Sequence, residues 1–131
     1  MCLITRQKKA KILKKDLIIF KTVNVYNDVI QSVCQSHFKW IANKLEKVNL
    51  NIKSVHNTKD RFYTDEGTQK IYEKLSQCVS ISEGFHAALT PDRPICIEWD
   101  YVEVKEFLIP AGSEVFYNAT GLIVSNQMMM L

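Results

Sequence analysis

The sequence predicts an α+β fold: a single domain over residues 1–131, built on a mostly antiparallel, twisted sheet with one or two covering helices. Three observations lead there. Residues 94–131 read as strands separated by short turns. Residues 17–26, LIIFKTVNVY, form a compact β-branched run that suits a buried strand. Between them, apolar residues fall at Ile30, Cys34, Phe38, Ile41, Leu45 and Val48, in the steps of three and four that mark one face of a helix over 28–47.

The C-terminal stretch carries the clearest pattern. Ile95, Ile97 and Trp99 alternate with Cys96, Glu98 and Asp100, the period of a strand with one buried face. Apolar content continues through Val102, Val104, Phe107, Leu108 and Ile109, as one bent strand or two shorter ones. Pro110-Ala111-Gly112-Ser113 is a turn, because proline presets its φ and glycine accepts a positive one. Residues 114–117 form a short strand, 118–121 (NATG) the next turn, and 122–126 the returning strand, with 127–131 as its extension. Turns this short favour antiparallel pairing. Met128, Met129 and Met130 fill irregular apolar space if buried and offer an adaptable contact surface if exposed.

In the first half, Asn27 or Asp28 would cap the helix over 28–47. Trp40 lies off its main stripe, as a second contact or a binding surface. Residues 49–67 are polar and broken, with a short strand at 50–55. Residues 68–77 form a second, short helix with Ile71, Tyr72 and Leu75 inward. Residues 79–81 then read as a strand leading into Ser82-Glu83-Gly84-Phe85-His86.

Composition narrows the function classes. With 47% hydrophobic residues the chain buries a core without staples. No apolar run reaches the roughly 18 residues of a membrane-spanning helix. No apolar stretch follows Met1, so no secretory signal is expected, and the chain reads as cytoplasmic. The cysteines Cys2, Cys34, Cys78 and Cys96 contain no CxxC pair, which argues against a zinc site and for free thiols. No Gly-rich phosphate loop, HExxH motif or Ser-elbow motif occurs, so no cofactor is expected.

Charge is divided unevenly. Residues 1–59 carry 12 Lys/Arg against 3 Asp/Glu, a balance of +9; residues 60–131 carry 5 against 11, a balance of −6. Such a split points to an acidic protein partner or polyanion for the first half. The alternative is attraction between the halves, within one fold or between subunits of a homo-oligomer. The densest basic run is the N-terminal arm over 1–15, with Arg6, Lys8, Lys9, Lys11, Lys14 and Lys15. It could contact nucleic-acid phosphates without reading sequence. No aromatic residue is interleaved, so base stacking is not indicated. A solvated face gives the same pattern.

Two residues are catalytic candidates. Cys2 becomes an N-terminal nucleophile if Met1 is removed, with its own α-amine as base. His86, after Gly84, could move protons near neutral pH. Inert and structural roles are the simpler reading of both. Glu98 and Asp100, with Glu103 and Glu106 nearby, could hold a metal or form an outward polar strand face.

The opening MCLITRQKKAKILKKDLIIFK, the EGFH at 83–86 and the closing FLIPAGSEVFYNATGLIVSNQ resemble a group of small uncharacterised proteins of gut Bacteroidales and their bacteriophages. The likeness covers roughly a third of the chain and implies a phage or mobile-element origin, in the host cytoplasm or the virion. It carries no catalytic residue. It also implies extended structure around SxxQSxFxW, here Ser32 to Trp40, as the alternative to a helix there. The functional expectation is a non-enzymatic binding or interaction protein. A small hydrolase or transferase using Cys2 or His86 is the alternative, and non-specific nucleic-acid binding the second.

Overall fold

Leu17–Tyr26 (β3) and Val102–Ile109 (β10) form the spine of the fold, paired antiparallel from Val102 opposite Asn24 to Ile109 opposite Leu17. β-branched and aromatic side chains dominate both, and they pack well on a pleated surface. The structure, a computed structural model, describes residues 3–32, 38–54, 78–91 and 102–131. Around the spine lie β1 (Leu3–Thr5), β2 (Lys11–Ile12), β4 (Val29–Ser32), β5 (Lys39–Trp40), β6 (Leu45–Lys47) and β7 (Asn51–Ser54). The rest are β8 (Val79–Glu83), β9 (Phe85–Ala88), β11 (Glu114–Tyr117), β12 (Leu122–Ser125) and β13 (Gln127–Met130).

These strands make two sheets. The larger runs β2-β11-β12-β9-β3-β10-β13-β6, with β4 on β3 and β5 on β4; the smaller is β1-β8-β7. Short connections force the larger sheet to curl. The 110–113 turn joins β10 to β11 and a corner at Asn126 joins β12 to β13, yet neither pair of strands is hydrogen-bonded together. Both links cross between the β2-β11-β12-β9 half and the β3-β10-β13-β6 half. The main core fills the space between the halves, with Ile19, Val23, Phe107, Ile109, Met128 and Met130 from one and Phe85, Ala87, Val115 and Ile123 from the other.

Strands β11 and β12 are buried on both faces. Val115 and Ile123 enter the main core, while Phe116 and Val124 point the other way and meet Leu3 and Ile81 of the small sheet. Two-sided burial explains why VFY and LIVS are continuous apolar runs rather than alternating ones. The small sheet thus covers the face that the sequence assigns to helices.

The α+β expectation is corrected: the described residues contain no helix and the fold there is all-β. The helix predicted over 28–47 is replaced by β4, β5 and β6, with residues 33–37 outside the described residues. Asn27 and Asp28 both have positive φ (50° and 62°) and turn β3 back into β4 with Tyr26 opposite Val29. Asn and Asp suit a helix cap and a two-residue hairpin turn alike, and here the hairpin wins. Trp40 is a core residue, 4% exposed, with its ring 4.8 Å from Phe107 and its Nε1–H donating to Ser32 Oγ at 2.8 Å. Residues 127–130 do not extend β12; they form a separate strand between β10 and β6, and Met128 and Met130 are buried. The predicted helix over 68–77 and the strand over 95–101 lie outside the described residues.

Candidate functional site

The basic run 6–15 is fixed against β11 rather than hanging from it. Gln7 supplies the main fastening. Its Nε2 donates to Val115 O at 2.8 Å, and its Oε1 accepts the Tyr117 N–H at 3.0 Å. One side-chain amide therefore satisfies the donor and acceptor that a neighbouring strand would otherwise meet. Thr5 Oγ1 donates to Tyr117 O, and Gln7 N–H donates back to Thr5 Oγ1 at 3.1 Å. Further along, β2 pairs with Glu114 and Val115, and Leu13 exchanges hydrogen bonds with the 112–113 turn.

This backbone carries six exposed cations: Arg6, Lys8, Lys9, Lys11, Lys14 and Lys15. Lys11 Nζ lies 6.0 Å from the centre of the Tyr117 ring, whose hydroxyl pKa is raised by burial. Asp16, the first carboxylate in the chain, accepts the Ala111 N–H at 2.8 Å and so anchors the end of the run to the 110–113 turn. The ion pairs Lys44–Glu46 and Lys105–Glu103 each join residues two apart. The result is a cationic edge with a set backbone course.

Replacing Gln7 with Ala should cost about 1–3 kcal/mol, because Val115 O and Tyr117 N–H lose their partner beside a buried strand. Urea unfolding of Gln7→Ala checks it. Gln7→Glu should fall short of full rescue, since a carboxylate accepts from Tyr117 N–H but repels Val115 O.

His86 sits at the corner where β8 leaves the small sheet and β9 enters the large one. Its Nδ1 lies 3.1 Å from Gly84 O and its Nε2 3.1 Å from Ile81 O. A neutral ring donates to one carbonyl at a time, an imidazolium to both. Both nitrogens are turned onto main-chain acceptors, the arrangement of a staple across the corner rather than of a proton carrier open to substrate. Lys21 Nζ donates to His86 O at 2.7 Å. Burial lowers the His86 pKa below its ordinary value; the two carbonyls pull the other way and the Lys21 charge adds to the lowering. The unfolded chain therefore takes up this proton first. Stability from His86 is complete above the ordinary histidine pKa of about 6.5 and declines as pH falls below it. Thermal melts from about pH 7.5 down to about pH 5 should show a falling Tm, with a shallower slope in His86→Gln.

Cys2, Glu98 and Asp100 lie outside the described residues. Glu103 is ion-paired with Lys105 at 3.5 Å, and Glu106 points to the other face of β10, opposite Phe20. Among the described residues no group of three or more His, Cys, Asp or Glu is placed to hold a metal ion. Among them, too, no helix is long and apolar enough to cross a membrane. Gln7 is the residue of this edge that the sequence does not announce: its partners are about a hundred residues away and nothing local marks them.

No family model, no curated protein and no solved structure matches the chain.

Proposed function

We propose that this protein is a non-catalytic binding protein that engages an acidic partner through the cationic edge formed by residues 6–15. The observation that supports it is the fastening of six exposed cations to β11 by Gln7, Thr5 and β2. A free tail loses conformational entropy when it binds, whereas a docked edge has lost most of it on folding. Charges held in a fixed array also favour one partner geometry over others. A phage or mobile-element setting is part of the same proposal and rests on the resemblance of residues 1–21, 83–86 and 107–127.

The test is capture of partners from the native host or from infected cells by the tagged protein, with mass spectrometry. Wild type should retain a stoichiometric acidic protein, and a Lys8/Lys9/Lys14/Lys15→Gln variant should lose it. Equal capture by both proteins refutes the reading. Recovery of DNA or RNA instead, with affinity falling steeply as salt rises, would transfer the edge to nucleic-acid binding.

A further inference from the structure

The outer face of the β3-β10-β13-β6 half carries an apolar row that crosses four strands. Ile18 is opposite Leu108, Leu108 opposite Met129, and Met129 opposite Leu45. Residues directly opposite in antiparallel strands share a face. This face is the one turned away from the main core, since Ile19, Phe107, Met128 and Ile109 point inward. The ends of the row are open, with Ile18 44% and Leu45 38% exposed. Between them Leu108 and Met129 are partly buried, and extended apolar patches on a surface are where association sites are found.

The charges on one flank of the row identify the occupant. Asp16 stands two residues before Ile18 at one end, and Lys47 two residues after Leu45 at the other. Because β3 and β6 run in opposite directions, both lie on the same flank of the row. Both are exposed, and among the described residues neither makes an ion pair.

We propose that this face is the interface of a homodimer, with a second copy packed on it about a two-fold axis parallel to the strands and midway between β10 and β13. That axis lays Ile18 on the partner's Leu45 and Leu108 on the partner's Met129. It also sets Asp16 against the partner's Lys47, and Lys47 against the partner's Asp16. An isologous interface requires this reciprocity: whatever one residue meets, its counterpart meets in return. Two sheets packed face to face with nearly aligned strands are a common arrangement of antiparallel sheets. A four-strand patch lies at the small end of specific interfaces, so the dimer depends on concentration. The pairing differs from attraction between the basic and acidic halves of the chain, since Asp16 and Lys47 both belong to the first half. It uses none of the six cations of the edge along β11, although Asp16 also anchors the end of that run.

Sedimentation equilibrium over a wide concentration range tests it. Wild type should fit a monomer–dimer equilibrium. Asp16→Lys and Lys47→Glu should each weaken dimerisation by about tenfold or more, because each sets like charges together at both ends of the row. Mixing the two variants should restore the dimer, since every charged contact in the mixed pair is between opposite signs. Asp16→Lys gives up the Ala111 contact, so Lys47→Glu, which touches no hydrogen bond between described side chains, carries the single-variant result, and recovery on mixing shows that both variants are folded. A wild type that is monomeric throughout, or a dimer that neither variant weakens and mixing does not restore, overturns the proposal.

Discussion

Phe107→Ala should lower the unfolding free energy by about 3–5 kcal/mol, the usual range for removing a fully buried phenylalanine. The ring is fully buried and sits where the two halves of the curled sheet meet. Trp40 stands edge-on to it at 4.8 Å, and Trp40 in turn lies 5.2 Å from Phe85 and 4.8 Å from Phe38. Deleting Phe107 therefore removes its own transfer energy and loosens the end of an aromatic chain that links β10, β5 and β9. The cavity is bounded by strands on both sides, so it cannot close by moving one loop. Denaturant unfolding measures the loss. A change below about 1 kcal/mol would mean that the halves do not pack around this ring.

Gly84→Ala should destabilise by about 2–5 kcal/mol, through two separate effects. Gly84 has a φ of +148°, which L side chains rarely adopt. An added Cβ would also stand 2.6 Å from Val124 Cγ2 and 2.7 Å from Leu50 Cδ2. Val124 is a fully buried, β-branched member of the second core and has no room to turn away. Leu50 is half-buried and can yield. A Gly84→Ala/Leu50→Ala pair should therefore recover part of the loss, leaving the backbone and Val124 terms in place. The double-mutant cycle reads that coupling directly. Full additivity would show that the corner packs differently.

The physics of this corner explains how far the sequence could be read. Gly84 was legible as a turn, because only glycine combines freedom in φ with close approach. What it approaches was not legible, since Val124 is forty residues away. The same division holds elsewhere. Strands β3, β10, β11 and β12 show in their β-branched runs and in the turns between them, which are local properties. The exchange of partners at the 110–113 turn does not show: a four-residue link between two strands reads as a hairpin, and here it is a corner between halves of a curled sheet. Of the stripe read as a helix over 28–47, Ile30 falls on β4 and Leu45 on β6, while Phe38, Ile41 and Val48 lie between strands. Ile30, Phe38 and Val48 pack against the main core while Ile41 and Leu45 are exposed, so the spacings of three and four reflect where short strands and turns fall rather than one helical face. At the cationic edge, the six charges could be counted in the sequence, but the amide of Gln7 that fixes them could not be distinguished from any other glutamine.

That fixing is the part of the functional account most open to direct challenge. Gln7→Ala keeps every charge of the 6–15 run and removes the side-chain bonds of Gln7, to Val115 and Tyr117 of β11 and to Lys9 O within the run. The measurement is the affinity of Gln7→Ala, compared with wild type, for the partner that wild type captures, at a temperature where both are folded. A docked cationic edge predicts weaker binding by the variant although its net charge is unchanged. Equal affinity would contradict it, because a basic run that binds as a free tail has no need of Gln7.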